Sequence, residues 1–216
     1  MATDTLKITE IFYSLQGETS TVGLPTVFVR LTGCPLRCVY CDTEYAFHGG
    51  ERLSLDAILA EVRHLAAPWV TVTGGEPLAQ ANCLPLLTRL CDQGYRVSLE
   101  TSGALSIAGV DPRVAIILDL KTPGSGEASR NLYDNIPLLK PRDEVKFVLS
   151  DRQDYQWAKM KIDELELLSR VENVLLSPTH GTLSPTDLAD WIVADRLAVR
   201  MQLQLHKLLW RDEPGR

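Results

Sequence analysis

Short apolar, β-branched runs alternate with stretches of helical periodicity along most of the chain. The first clear run, Thr26–Leu31 (TVFVRL), predicts a strand. Ser54 then offers an N-cap, and Leu55, Ile58, Leu59, Val62 and Leu65 fall on one helical face behind it. Trp69–Gly74 (WVTVTG) reads as a buried strand. A helix from about Asn82 to Gln93 is expected to stop at Gly94, since glycine tolerates the left-handed conformation that ends helices. Strands follow at Tyr95–Glu100 and Val114–Leu120, then a polar, Gly-containing stretch from Thr122 to about Arg130 and a short helix. The pattern continues as strand Glu144–Ser150, helix Asp151 to about Leu168, strand Asn173–Pro178, helix Pro185–Ala194 and a last strand Val199–His206.

Apolar strands alternating with amphipathic helices imply parallel βα units with right-handed crossovers. Six or seven strands are fewer than a closed barrel needs, so the expected fold is α/β, an incomplete (β/α) barrel. One domain is expected over 1–216, its core at about 26–206, with an N-terminal segment and a C-terminal tail around it. In such folds function gathers at the C-terminal ends of the strands.

Composition narrows the partners. The chain has 216 residues, 45% of them hydrophobic, enough to fill one core. A net charge of -6 without a Lys/Arg run argues against nucleic acid. No apolar stretch approaches the roughly 20 residues of a membrane span. MATDTLKITE lacks a charged segment followed by an apolar one, so a cytoplasmic protein is expected.

There are five cysteines, and three stand within eight residues: Cys34-Pro35-Leu36-Arg37-Cys38-Val39-Tyr40-Cys41. Cys83 and Cys91 lie in a helical stretch and read as small buried apolar residues. The C-x3-C-x2-C loop directly follows the first predicted strand. Three soft thiolates on one loop suit three irons of a cubane, leaving the fourth iron open to a ligand that is not protein. Tyr40 is placed to shield such a cluster. The competing reading is a structural zinc site, which wants four protein ligands; the nearest further candidate is His48.

At this point the chain resembles the radical S-adenosylmethionine (SAM) superfamily. Its second signature, Thr73-Gly74-Gly75-Glu76-Pro77, follows the second predicted strand. The resemblance narrows further through Ser14-Leu15-Gln16-Gly17-Glu18, Phe28-Val29-Arg30-Leu31-Thr32-Gly33-Cys34, Cys41-Asp42-Thr43, Glu100-Thr101-Ser102-Gly103 and Gln204-Leu205-His206-Lys207. Together these look like the 7-carboxy-7-deazaguanine synthase family. The resemblance implies a [4Fe–4S] cluster on Cys34, Cys38 and Cys41. It implies SAM held by Tyr40, Asp42, Gly74, Gly75, Glu76, Gly103, Asp119, Lys121, Ser177, Pro178, Thr179 and His180, with Glu76 accepting from the amino group. It implies Mg²⁺ on Thr43, and a pterin substrate against Leu15, Gln16, Gly17, Arg30 and Thr101, with Arg30 facing its carboxylate. A flavodoxin- or ferredoxin-type electron donor and a homodimer are implied as well. The implied reaction is a radical ring contraction of 6-carboxy-5,6,7,8-tetrahydropterin to 7-carboxy-7-deazaguanine with loss of ammonia, in queuosine and 7-deazapurine biosynthesis.

Plainer readings stand beside these. Gln16 and Glu18 also fit a solvated turn, Arg30 a structural ion pair, Thr43 a cap, His206 a core histidine, and Asp187 and Asp190 a wet helix face. A glycyl-radical activase shares the cysteine spacing, and a non-enzymatic zinc module shares the thiols. Some family members end soon after the terminal strand with a proline or carboxylate near substrate. Here the chain runs on through Trp210–Arg216, with Pro214 the nearest counterpart. The Thr122–Asn131 stretch has no assigned role; acting as a lid is one that such loops can play.

Overall fold

The computed structural model describes residues 4–211 together with 213 and 215; Pro214 lies outside the described residues. The strands are β1 (Thr5–Leu15), β2 (Pro25–Leu31), β3 (Glu51–Ser54), β4 (Trp69–Gly74), β5 (Arg96–Thr101), β6 (Ala115–Asp119), β7 (Glu144–Leu149), β8 (Asn173–Pro178) and β9 (Arg200–Met201). They form one sheet in the order β3-β1-β2-β4-β5-β6-β7-β8-β9. From β2 to β9 every pairing is parallel, whereas β1 is antiparallel to both β2 and β3. The sheet is open, an incomplete barrel as expected. The helices are α1 (Leu55–Leu65), α2 (Cys83–Asp92), α3 (Arg152–Glu164), α4 (Leu167–Arg170), α5 (Pro185–Asp195) and α6 (Leu205–Trp210). Among the described residues no helix is long and apolar enough to cross a membrane.

Strand alternation divides the sheet into two chemistries. Val29, Val72, Leu99, Leu118, Phe147 and Leu176 are buried on the face covered by the helices, in two apolar clusters. Each such side chain contributes roughly 1.5–3 kcal/mol by leaving water. The alternate positions, among them Arg30, Thr73, Glu100, Asp119 and Lys146, face a cavity. Helix starts follow local chemistry. The Ser54 hydroxyl accepts from Ala57 N, and the Asp151 carboxylate accepts from Asp154 N. Gly94, at φ +85, ends α2.

Four elements differ from the pattern-based reading. β1 and β3 were not expected. A bulge between Ile8 and Glu10 switches which parity of β1 faces the helices, Leu6 and Ile8 before it and Ile11 after it, which erases a clean period of two. The helix from Asp151 is interrupted where Glu166 turns left-handed (φ 52), so α3 and α4 are separate. Val199–His206 is mostly not strand. Only Arg200 and Met201 pair with β8, and Leu205 begins α6 with its N–H on Gly17 O at 2.9 Å.

Candidate active site in the open barrel

A cavity of about 730 Å³ opens at the C-terminal ends of the parallel strands. Cys34, Cys38 and Cys41 line it as free, half-buried thiols. Burial pushes all three up, Cys38 to about 11, while Lys121 opposes the rise. The backbone N–H groups of Leu36 and Thr43 offset part of the rise at Cys34 and Cys41. Iron binding would displace the thiol protons. Among the described residues no three His, Cys, Asp or Glu side chains converge as a site for one metal ion requires. Three thiols without a fourth protein ligand fit a cubane with one open iron better than closed zinc.

The cysteine loop is locked to the Gly-Gly-Glu turn after β4. Gly75 N donates to Leu31 O (3.2 Å) and Glu76 N to Gly33 O (2.8 Å). A Cβ at Gly75 would overlap the Gly33 carbonyl and stand 2.9 Å from Cys34 Cβ; one at Gly74 would stand 2.7 Å from Leu31 O. These glycines let one backbone lie against another, and both also line the cavity. On its other side the loop is braced by the 122–131 stretch. Val39 N donates to Ser125 O (3.0 Å), and Arg37 N to the Glu127 carboxylate (2.6 Å). Gly124 N is tied in turn to Asp154 Oδ1 (2.8 Å). That stretch is a brace made of short 3-10 turns rather than an untethered lid.

Most of the predicted site residues meet in the cavity: Leu15, Gln16, Gly17, Arg30, Tyr40, Asp42, Thr43, Gly74, Gly75, Thr101, Asp119, Lys121, Thr179 and His180. Four do not line it. Glu76 is fully buried, and its carboxylate accepts from Leu78 N (2.9 Å), Thr101 Oγ1 (3.0 Å), Ser102 N (2.7 Å) and Ser102 Oγ (2.5 Å). It therefore pins the end of β5 to the Gly-Gly turn. Gly103, left-handed at φ +71, packs near Leu118. Ser177 and Pro178 are buried in β8.

The Ser14–Glu18 segment is not a solvated turn. Gln16 Nε2 donates to Thr71 Oγ1 and to Glu100 Oε1, both at 3.2 Å, and Gln16 Oε1 accepts from Glu18 N (3.1 Å). The side-chain amide is a bolt in the barrel floor, and Leu15, Gln16, Gly17 and Glu18 all line the cavity. A Cβ at Gly17 would overlap His206 Nδ1. His206 lines the cavity, and burial lowers its basicity even with Glu18 and Asp42 nearby. Thr43 donates to Asp42 Oδ1 (2.7 Å) and caps no helix with its side chain. Burial alone would raise the Asp42 carboxyl, but Thr43, Lys207, Lys146 and His206 together bring it below its ordinary value.

Pattern reasoning passed over Glu100 and Lys146. Burial raises the Glu100 carboxyl. Burial would strip a proton from Lys146, but Glu18, Asp119 and Glu100 hold it charged. Lys146 Nζ lies 2.6 Å from Glu18 Oε2 and 3.6 Å from Asp119 Oδ2, and Lys121 Nζ lies 3.1 Å from Asp119 Oδ2. Among the described residues Glu18 Oε1 and Asp119 Oδ1 are buried without a hydrogen-bond partner. A charged residue between apolar ones inside a strand, as Lys146 stands between Val145 and Phe147 in EVKFVL, was the available signal.

The radical SAM superfamily profile matches residues 28–121. A 7-carboxy-7-deazaguanine synthase of Koribacter versatilis is 45% identical over 222 residues, covering 96% of this chain and 98% of the relative. The enzyme of the same name from Chlorobaculum tepidum is 46% identical over 211 residues, covering 96% of each chain. Among solved structures, QueE from Escherichia coli superposes with a TM-score of 0.72 at 25% identity, over 94% of this chain and 95% of that one. SuiB of Streptococcus suis, at 12% identity and a TM-score of 0.57 over 80% of this chain and 46% of its own, shares the fold. With identity of this order over nearly its whole length, the chain belongs to the 7-carboxy-7-deazaguanine synthase family within the radical SAM superfamily.

Proposed function

We propose that this enzyme converts 6-carboxy-5,6,7,8-tetrahydropterin to 7-carboxy-7-deazaguanine, as a SAM- and Mg²⁺-dependent ring-contracting lyase. The observation that carries this is the three-thiol loop, locked to the Gly-Gly turn at the mouth of a polar-walled cavity that also holds Arg30. When bound, the [4Fe–4S] cluster and SAM supply one-electron cleavage of a sulfonium C–S bond, and with it the hydrogen-atom abstraction that starts the reaction.

The protein's part is to hold, orient and exclude water. Cys34, Cys38 and Cys41 hold the cluster. Gly74 and Gly75 offer backbone to the methionine end of SAM, and Tyr40, Asp42, Asp119, Lys121, Thr179 and His180 surround the rest. Glu76, Gly103, Ser177 and Pro178 act from behind that surface by fixing the strand ends. Leu15, Gln16 and Gly17 present main-chain groups to the pterin, Thr101 abuts it, and Arg30 takes its carboxylate in a two-bond fork. Glu18 Oε1 and Asp119 Oδ1, buried and without a partner among the described residues, are acceptors for ligand N–H groups. Thr43 Oγ supplies one oxygen to Mg²⁺, a cation that prefers oxygen. Product and ammonia together contain the atoms of the substrate, so the reaction needs no net oxidant. The reading extends to a cytoplasmic homodimer reduced by a flavodoxin- or ferredoxin-type protein.

The test is anaerobic reconstitution with iron and sulfide, then incubation with SAM, a chemical reductant and the carboxytetrahydropterin. A product lighter than substrate by one ammonia is expected. SAM cleavage with the heterocycle unchanged would refute the substrate assignment, and one zinc in place of iron and sulfide would refute the enzyme class.

A further inference from the structure

Arg30 is committed at one edge only. It stands opposite Glu10 across the β1–β2 ladder, and its Nε–H donates to Glu10 Oε1 at 2.7 Å. The same oxygen accepts from the Tyr45 hydroxyl at 2.8 Å. The guanidinium lies over the rings of Phe12 (5.8 Å) and Tyr45 (5.9 Å). Among the described residues Nη1 and Nη2 make no hydrogen bond, and Arg30 lines the cavity. The Glu10 and Arg30 side chains are 20% and 17% exposed, so the pair is sheltered rather than dissolved in solvent.

This arrangement is selective in its geometry. A carboxylate beside an arginine ordinarily takes two N–H groups at once, Nε with Nη or the two Nη together. Glu10 takes only Nε, and Tyr45 loads the oxygen that does so. Tyr45 sits in the 3-10 turn Glu44–Phe47 that follows the cysteine loop, so the bond also ties that turn to β1. The ion pair that a structural reading of Arg30 expects is therefore present, and it leaves the Nη edge of the fork unused.

We propose that Glu10 and Tyr45 are positioning residues that hold Arg30 by Nε and one ring face, keeping its Nη edge turned into the cavity for a ligand carboxylate. The proposal rests on the reading above that the substrate carries such a carboxylate. Glu10 acts as an anchor here, not as a charge. As a negative charge it opposes the incoming carboxylate; as an acceptor it aims the fork. Removing the charge while keeping an acceptor therefore differs in sign from removing both. Without the Tyr45 hydroxyl, Glu10 is free to swing and close on the Nη edge itself.

The experiment measures binding of two inert aromatic probes, 6-carboxypterin and pterin, to the anaerobically purified full chain by fluorescence titration. The quantity read is the affinity ratio of the two, with pterin affinity reporting that the pocket is intact. The parent ratio is expected to be roughly tenfold or more, from charge-assisted bonds to one carboxylate. Glu10→Gln should keep the ratio within about threefold of the parent or raise it. Glu10→Leu should lower it by about tenfold, and Tyr45→Phe by several-fold, with pterin affinity unchanged in both; magnitudes follow one charged hydrogen bond. A Glu10→Leu ratio equal to or above the parent's makes Glu10 only a charge and overturns the proposal. Loss of affinity for both probes alike makes Glu10 a folding residue and also overturns it. If the parent itself does not prefer 6-carboxypterin, the carboxylate reading of Arg30 fails first and the proposal falls with it.

Discussion

Gly75→Ala separates two reasons for a glycine in the turn after β4. If Gly75 serves only to let a ligand approach, an added methyl leaves the empty protein unchanged. The geometry says otherwise. The new Cβ would meet the Gly33 carbonyl carbon at 2.6 Å and Cys34 Cβ at 2.9 Å, mostly backbone that no rotamer change can move aside. Relief requires the turn and the cysteine loop to part, at about 1–3 kcal/mol for overpacking. Parting also weakens Gly75 N to Leu31 O and Glu76 N to Gly33 O, each about 0.5–1.5 kcal/mol. The total is roughly 2–6 kcal/mol, and for a chain of this size about 3 kcal/mol corresponds to a fall in Tm of around 6–12 °C. Thermal unfolding of the metal-free protein, scanned by circular dichroism, measures it. Gly94→Ala is the control: it has the left-handed φ of +85 but nothing within 4 Å, so only the conformational cost of about 1–2 kcal/mol applies. Iron retained after reconstitution should fall in Gly75→Ala and hold in Gly94→Ala. A Gly75→Ala protein that melts with the parent and holds iron equally well would refute the contact-based reasoning.

The other expectations concern the cluster loop and its neighbours. Alanine at Cys34, Cys38 or Cys41 should abolish cluster absorbance and iron binding, whereas Cys91→Ala and the buried Cys83→Ala should retain both; cluster loss in Cys83→Ala would mean the ligands are misassigned. Glu127→Ala removes the acceptor for Arg37 N–H and should speed iron loss to a chelator several-fold without preventing assembly; an unchanged rate would show that the 122–131 stretch does not brace the loop. Thr43→Ser should keep Mg²⁺-stimulated turnover, while Thr43→Val should shift the Mg²⁺ titration to higher concentration at unchanged cluster absorbance; a Val variant that titrates like the parent would show that Thr43 is not a Mg²⁺ ligand.

Much of the fold was legible because its cause is local. Strands β2, β4, β5, β6, β7 and β8 each carry a short apolar or β-branched run of strand length, and Ser54, Asp151 and Gly94 mark helix ends through their own side chains or φ. The cysteine spacing was legible because the three thiols sit on a single loop. Other features depend on partners distant in the chain. Val199–His206 alternates as a strand should, yet alternation cannot say whether a neighbouring strand exists to pair with it, and the chain turns in to Gly17 instead. β1 was hidden because one bulge reverses the parity that reveals a strand. Glu76 looked like a ligand for an ammonium group; only the approach of Thr101 at the end of β5 and of Ser102 just beyond it shows its carboxylate occupied. Glu10 carried no signal at all. Its meaning arises from register, which sets it opposite Arg30, and from a turn some 35 residues later that brings the Tyr45 hydroxyl to the same oxygen. Periodicity and caps are read from neighbours along the chain, but the orientation of a polar group is set by whatever satisfies its hydrogen bonds, and in a barrel those groups arrive from other strands.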